Sequence, residues 1–153
     1  MGRALFNLAD FCLEPGAAAA DALLFVDAER VLARRSRAEL RARVEALARA
    51  LAAHAPKGAR IGLRMTNTPA MAEAFFACAK AGLVAVPLSP QLTLEETTAI
   101  LEDAEASLVL VDDRAAIPPQ RLGPPVTTPD AVAGDGKLPP THEEDPVLLI
   151  YTS

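Results

Sequence analysis

The sequence predicts an α/β fold in which parallel-sheet layers are flanked by helices. Three observations predict it. Short apolar runs at Arg60–Met65, Leu83–Leu88 and Ser107–Val111 read as strands, and two helical patterns separate them. Apolar strands linked by helices belong to parallel sheets covered on both faces. The chain has 153 residues, of which 51% are hydrophobic and 23% charged, the composition and size of one globular domain with a real core.

Each element has a local reason. Leu5, Leu8, Ala9 and Cys12 form a short helical stripe that Pro15-Gly16 ends. Leu23–Val26 and Val31–Ala33 read as the two arms of a hairpin, turning at Asp27–Arg30 without the glycine that favours tight turns. Ser36 and Glu39 have the spacing of a capping box, in which each side chain satisfies an orphan amide at a helix start. Leu40, Val44, Leu47, Ala48, Leu51 and Ala52 then line one helical face until Pro56 and Gly58 stop it.

After the alternating strand Arg60–Met65, Thr68 is the expected N-cap of a helix with Pro69 at its first position. That helix, through Lys80, is apolar nearly all round and should be covered on several sides; Gly82 ends it. Thr93 and Glu96 repeat the capping box before a helix running to Ala104. Residues 115–145 shift towards Pro, Gly, Thr and charge, the composition of a connector with room for a small strand around Val126. Pro146–Ser153 closes the sequence as an apolar run, read as a buried strand that delivers a loop at the carboxyl end of the sheet, where such folds bind ligands.

Charge and composition narrow the function classes. The net charge of −5 gives nucleic acid and anionic membranes no electrostatic reason to bind. Arg34, Arg35, Arg37, Arg41 and Arg43 cluster, but Glu39 and Glu45 interleave them, as on a solvated helix face. Two cysteines, Cys12 and Cys78, make no disulfide framework, so the expected compartment is a reducing cytoplasm. Cys78 reads as a small buried hydrophobe, and His54 and His142 as isolated residues without metal-ligand spacing. No apolar stretch approaches the roughly 20 residues of a membrane span. The adjacent acids Asp112-Asp113, Glu95-Glu96 and Glu143-Glu144 read as turn, helix-start or solvated residues. No catalytic constellation, Walker A loop or dinucleotide fingerprint is visible.

Three stretches together resemble the opening of the AMP-forming, adenylate-forming superfamily of acyl-CoA synthetases, aryl-CoA ligases and adenylation domains. Ser36-Arg37-Ala38-Glu39-Leu40 is similar to the family's T-Y-x-E-L helix start. Asn67, then Phe75-Phe76-Ala77-Cys78-Ala79-Lys80-Ala81-Gly82 and Val84–Leu88, resembles its F-x-A-x-x-K-A-G-x-x-x-V-P-L stretch. Leu149-Ile150-Tyr151-Thr152-Ser153 matches the lead-in to its Y-T-S-G-T-T-G-x-P-K loop. Departures stand at Arg37, Gly58-Ala59-Arg60 and Ser89, none of them catalytic positions in the family.

The resemblance implies that residues 1–153 are the front part of a large N-terminal AMP-binding domain, incomplete at its C-terminus and inactive in isolation. It implies ATP, Mg2+ and coenzyme A for the complete protein, and a small carboxylic acid as substrate. Thr152 and Ser153 become the first two hydroxyl residues of an ATP phosphate loop, whose amides and hydroxyls would converge on phosphate oxygens. No residue is assigned a catalytic or metal-binding role. The opening Phe6–Asp10 leans towards aryl-CoA ligases. The competing readings are an amino-acid or fatty-acid adenylation domain and, in another class, a non-catalytic module that self-associates or docks a complementing chain.

Overall fold

The computed structural model describes residues 4–27, 30–113 and 122–152. Two local capping boxes set its helix register. Ser36 Oγ accepts from the Glu39 amide at 3.2 Å while the Glu39 carboxylate accepts from the Ser36 amide at 2.8 Å. Thr93 and Glu96 repeat the exchange at 3.2 and 2.8 Å.

The elements run α1 (Leu8–Leu13), β1 (Asp21–Asp27), β2 (Arg30–Ser36), α2 (Arg37–Ala52), β3 (Arg60–Arg64), α3 (Pro69–Lys80), β4 (Val84–Pro87), α4 (Leu94–Asp103), β5 (Ala106–Val111) and β6 (Val126–Thr127). The first two strands pair antiparallel as the expected hairpin, with Phe25 opposite Ala33. Residues 28 and 29 of its turn lie outside the described residues. The other four strands form a parallel sheet in the order β4-β3-β5-β6.

The chain moves from β3 to β4 in one direction and from β4 to β5 in the other. Right-handed crossovers must then put α3 and α4 on opposite faces. The cores agree. Ile61, Leu63, Ala85 and Leu110 pack with Leu47, Leu51, Ala77 and Cys78 on the α2–α3 side. Val86, Val109 and Val111 pack with Leu101 and Val126 on the α4 side. Gly62 permits this second layer: a Cβ there would stand 2.7 Å from the Leu101 side chain.

Residues 122–145 wrap this core. Gly136 N–H donates to the Arg49 carbonyl at the end of α2, and His54 Nε2 lies 2.7 Å from the Ala133 carbonyl. Leu5 bridges antiparallel to His142. Asn7 ties this seam to two helices: its Oδ1 caps α1, and its Nδ2 donates to the Ala79 and Lys80 carbonyls and to Thr141 Oγ1. Of the predicted connector, residues 115–121 lie outside the described residues.

Three expectations are refined or corrected. Thr68 is the N-cap of α3 and Pro69 its first residue, as expected, but Thr68 makes no side-chain cap bond and its Oγ1 is buried without a partner. The amide that a cap would accept, that of Met71, donates instead to the Thr68 carbonyl at 3.1 Å. The arginine cluster is not simply a solvated face. Arg35 on β2 and Arg43 on α2 converge on Glu73, whose side chain is only 7% exposed, at 3.1 and 2.9 Å.

The closing run is the third correction, for it is not a buried strand. Leu148 makes a single parallel bridge to Ala85, and Leu148 and Ile150 are 39% and 62% exposed. It lies outside β4 and pairs on one side, so half of its surface faces solvent.

Candidate functional site around Tyr151 and Thr152

The segment the sequence singles out is held to the sheet by two backbone bonds. Ala85 N–H donates to the Val147 carbonyl at 3.0 Å, and Leu149 N–H donates to the Ala85 carbonyl at 2.9 Å. Pro146, which lacks an N–H, stands before the pairing begins. Upstream, Asp145 accepts from Lys57 at 2.5 Å and from the His142 amide at 2.9 Å. The Lys57 bond, first, and the His142 amide hold its carboxyl below the usual aspartate range.

Tyr151 then turns inward. Its ring packs at the border of the α4-side core, and its hydroxyl donates to Asp103 Oδ2 at 2.6 Å. Asp103 is the last residue of α4, and the chain enters β5 three residues later. That corner belongs to the amino-terminal edge of the sheet. Arg60, the first residue of β3, donates there to the Ala104 carbonyl and to Glu105, both at 2.6 Å. Tyr151 is thus tied to the amino-terminal side, whereas the sequence places the Tyr151-Thr152-Ser153 run at the carboxyl end of a strand.

Thr152 is exposed. Ser153 lies outside the described residues. The described residues offer no converging set of amides, hydroxyls and cations around Thr152, and no group of three or more metal-ligating side chains. They do not by themselves fit a nucleoside triphosphate.

The carboxyl ends of β3 and β5 are closed by the protein itself. Asp112 accepts from the Thr66 amide at 2.6 Å, and the Arg64 guanidinium donates to the Pro90 and Leu92 carbonyls at 2.7 and 3.1 Å. With Glu96 in its capping box, these acids serve turns and helix starts. An open groove of about 540 Å³ lies elsewhere, between Phe6, Phe11 and Pro139-Pro140, and Thr152 does not line it.

Two residues refine the sequence reading. Cys78 is fully enclosed, and burial pushes its thiol up to about 12, the behaviour of a core residue rather than a nucleophile. Glu73 stands inside an apolar run. That position was itself the signal, since a buried carboxylate needs cationic partners and arginines crowd residues 34–43.

Comparison with known proteins places this architecture. The family described as AMP-binding enzyme matches residues 16–153. The chain belongs to the AMP-binding enzyme family. Feruloyl-CoA synthases of Amycolatopsis sp and Streptomyces sp are each 37% identical over 123 residues, covering 76% of this chain and 25% of theirs. The chain therefore spans about a quarter of the length of these curated relatives.

Among solved structures, Bacillus subtilis o-succinylbenzoate CoA synthetase (MenE) in complex with AMP superposes with a TM-score of 0.73 at 25% identity. It covers 87% of this chain, which spans 35% of it. The N-terminal subdomain of Klebsiella oxytoca NpsA, in complex with 3-hydroxybenzoyl-AMSN, shares the fold at a TM-score of 0.79 and 21% identity. That match covers 97% of this chain and 38% of the NpsA chain. The mixed α/β fold of this chain is thus the fold of the N-terminal part of adenylate-forming enzymes. Among the described residues no helix is long and apolar enough to cross a membrane.

Proposed function

We propose that this chain forms the amino-terminal part of the nucleotide-using domain of an AMP-forming carboxylic acid–CoA ligase. In such a reaction a carboxylate oxygen attacks the α-phosphorus of ATP, and pyrophosphate leaves as the acyl-adenylate forms. A thiol, coenzyme A, then attacks the acyl carbon; the C–S bond forms, AMP leaves and the thiol proton is released. Mg2+ would offset phosphate charge in the complete site. Thr152 and Ser153 would be the first hydroxyl residues of the phosphate loop, and the remaining nucleotide, acid and thiol contacts would come from other parts of the protein.

The observation that supports this reading best is the family match over residues 16–153, together with feruloyl-CoA synthase relatives at 37% identity. Those relatives, and the lean of Phe6–Asp10, favour an aromatic acid as substrate. A cytoplasmic location accords with the two separated cysteines, Cys12 and Cys78.

A chimera tests the proposal. This chain would replace the matching quarter of a feruloyl-CoA synthase, and feruloyl-CoA formation and ATP–pyrophosphate exchange would be followed. The chimera is expected to be active, and Thr152→Val within it should lower exchange by about tenfold or more, as loss of one donor to phosphate oxygens does. The 153-residue chain alone should show no exchange. A folded but inert chimera, or full activity after Thr152→Val, would count against the assignment.

A further inference from the structure

Among the described residues, the edge segment is a weakly held piece of the sheet. It has two ladder bonds, exposed apolar residues at Leu148, Leu149 and Ile150, and then the Tyr151 hydroxyl bond. The acceptor is also unusual. Glu102 and Asp103 end α4 with no basic residue in its last turn, although the negative end of the helix dipole disfavours anions there. Glu105 follows in the left-handed region at φ 48° to turn the chain into β5. A carboxylate placed against the dipole needs donors, and the Tyr151 hydroxyl supplies one from a distant part of the chain.

We propose that Tyr151 is a positioning residue: its hydroxyl, held by Asp103, latches the edge segment to α4 and fixes the point from which Thr152 leaves the sheet. The latch stands on geometry alone. Its consequence for ligand binding rests on the reading of Thr152 as a phosphate-binding residue. The charged groups around the phenol are Asp103 of α4 and Arg60 of β3, and Arg60 is itself paired to Glu105. The Asp103 bond, first, and then desolvation hold the phenol above its usual value, with Arg60 opposing.

The chain carries its own probe. Tyr151 is its one tyrosine and it has no tryptophan, so phenolate absorbance reports this hydroxyl alone. The parent should ionise above the ordinary tyrosine value, and Asp103→Asn should bring the transition down. Amide exchange gives a second readout at neutral pH. Tyr151→Phe keeps the ring but removes the bond, and should speed exchange of Leu149 N–H on the order of tenfold. Exchange at Leu88 and Val109, bonded inside the sheet to Leu63 and Pro125, should be unchanged.

Unchanged Leu149 exchange in Tyr151→Phe, or the same phenol transition with and without Asp103, would overturn the latch. A titration of the feruloyl-CoA synthase chimera with ATP, read at the Thr152 amide, separates the two ideas. A Thr152 signal that ignores ATP while both latch readouts hold would sink the phosphate reading and leave the latch standing.

Discussion

Glu73 shows how one residue can set the relation of three elements. It projects from α3 into the angle between β2 and α2, where Arg35 and Arg43 share its Oε1. The Glu73 side chain is nearly buried while the Arg35 and Arg43 side chains are 29% and 48% exposed, so desolvation falls mainly on the acid. Removing it leaves two arginines that water can still reach, which softens the usual cost of breaking a buried pair. Glu73→Ala should therefore destabilise the chain by about 2 kcal/mol in urea unfolding. Arg43→Ala should cost less, and the double variant should be less than additive because both remove the same contact. A Glu73→Ala loss below about 0.5 kcal/mol would reduce the cluster to a surface ion pair. The sequence displays every member of this cluster but not their meeting, because Arg35 lies 38 residues from Glu73 and only the hairpin's packing brings it near.

At the scale of elements, the two capping boxes make a prediction with a definite sign in pH. Glu39 and Glu96 are held below the usual glutamate range, first by the N-cap backbone amides of Ser36 and Thr93, which favour the ionised form. A depressed carboxyl contributes stability that is complete above its unfolded-state value and is lost as pH falls through the folded one. Ser36→Ala and Thr93→Ala should each cost roughly 1 kcal/mol near neutral pH. Glu39→Gln and Glu96→Gln, which remove the charge instead, should be less stable than the parent near neutral pH and converge with it as pH falls below about 4, followed by thermal unfolding across pH. A gap that persists undiminished in acid would mean that the carboxylates act through packing instead.

These helix starts were legible because four consecutive residues contain the whole interaction. Thr68 was legible as the N-cap of α3 but its missing side-chain bond was not, since Pro69 removes one amide and the Thr68 carbonyl takes the Met71 amide. The closing run misled for a related reason. An apolar stretch announces pairing, but whether it lies inside a sheet or along its edge depends on strands elsewhere.

For the whole molecule, the decisive contrast is between surfaces the chain covers and surfaces it does not. Both faces of the parallel sheet are enclosed, and that much followed from the strand and helix rhythm. Among the described residues, the hairpin face and the closing edge are two of the apolar surfaces left open. On the hairpin, Leu24 and Val26 lie two residues apart and Val31 pairs with Val26, so three exposed apolar side chains share one face. Beside β4, Leu148, Leu149 and Ile150 are exposed along an edge whose outer backbone groups can accept another strand. The site was least legible for the same reason: Tyr151 finds Asp103 across 48 residues, and no local pattern encodes that. Open apolar area beside an open edge favours association in water. The 153-residue chain should therefore self-associate reversibly at roughly 100 µM, as seen by sedimentation velocity. Ile150→Lys should weaken association by placing a charge on the edge, and Val26→Lys should test the hairpin face independently. If only Ile150→Lys acts, edge pairing joins the copies; if only Val26→Lys acts, the hairpin does. A monomer at that concentration would show that the exposed side chains are too dispersed to form a contact, whatever their individual exposure.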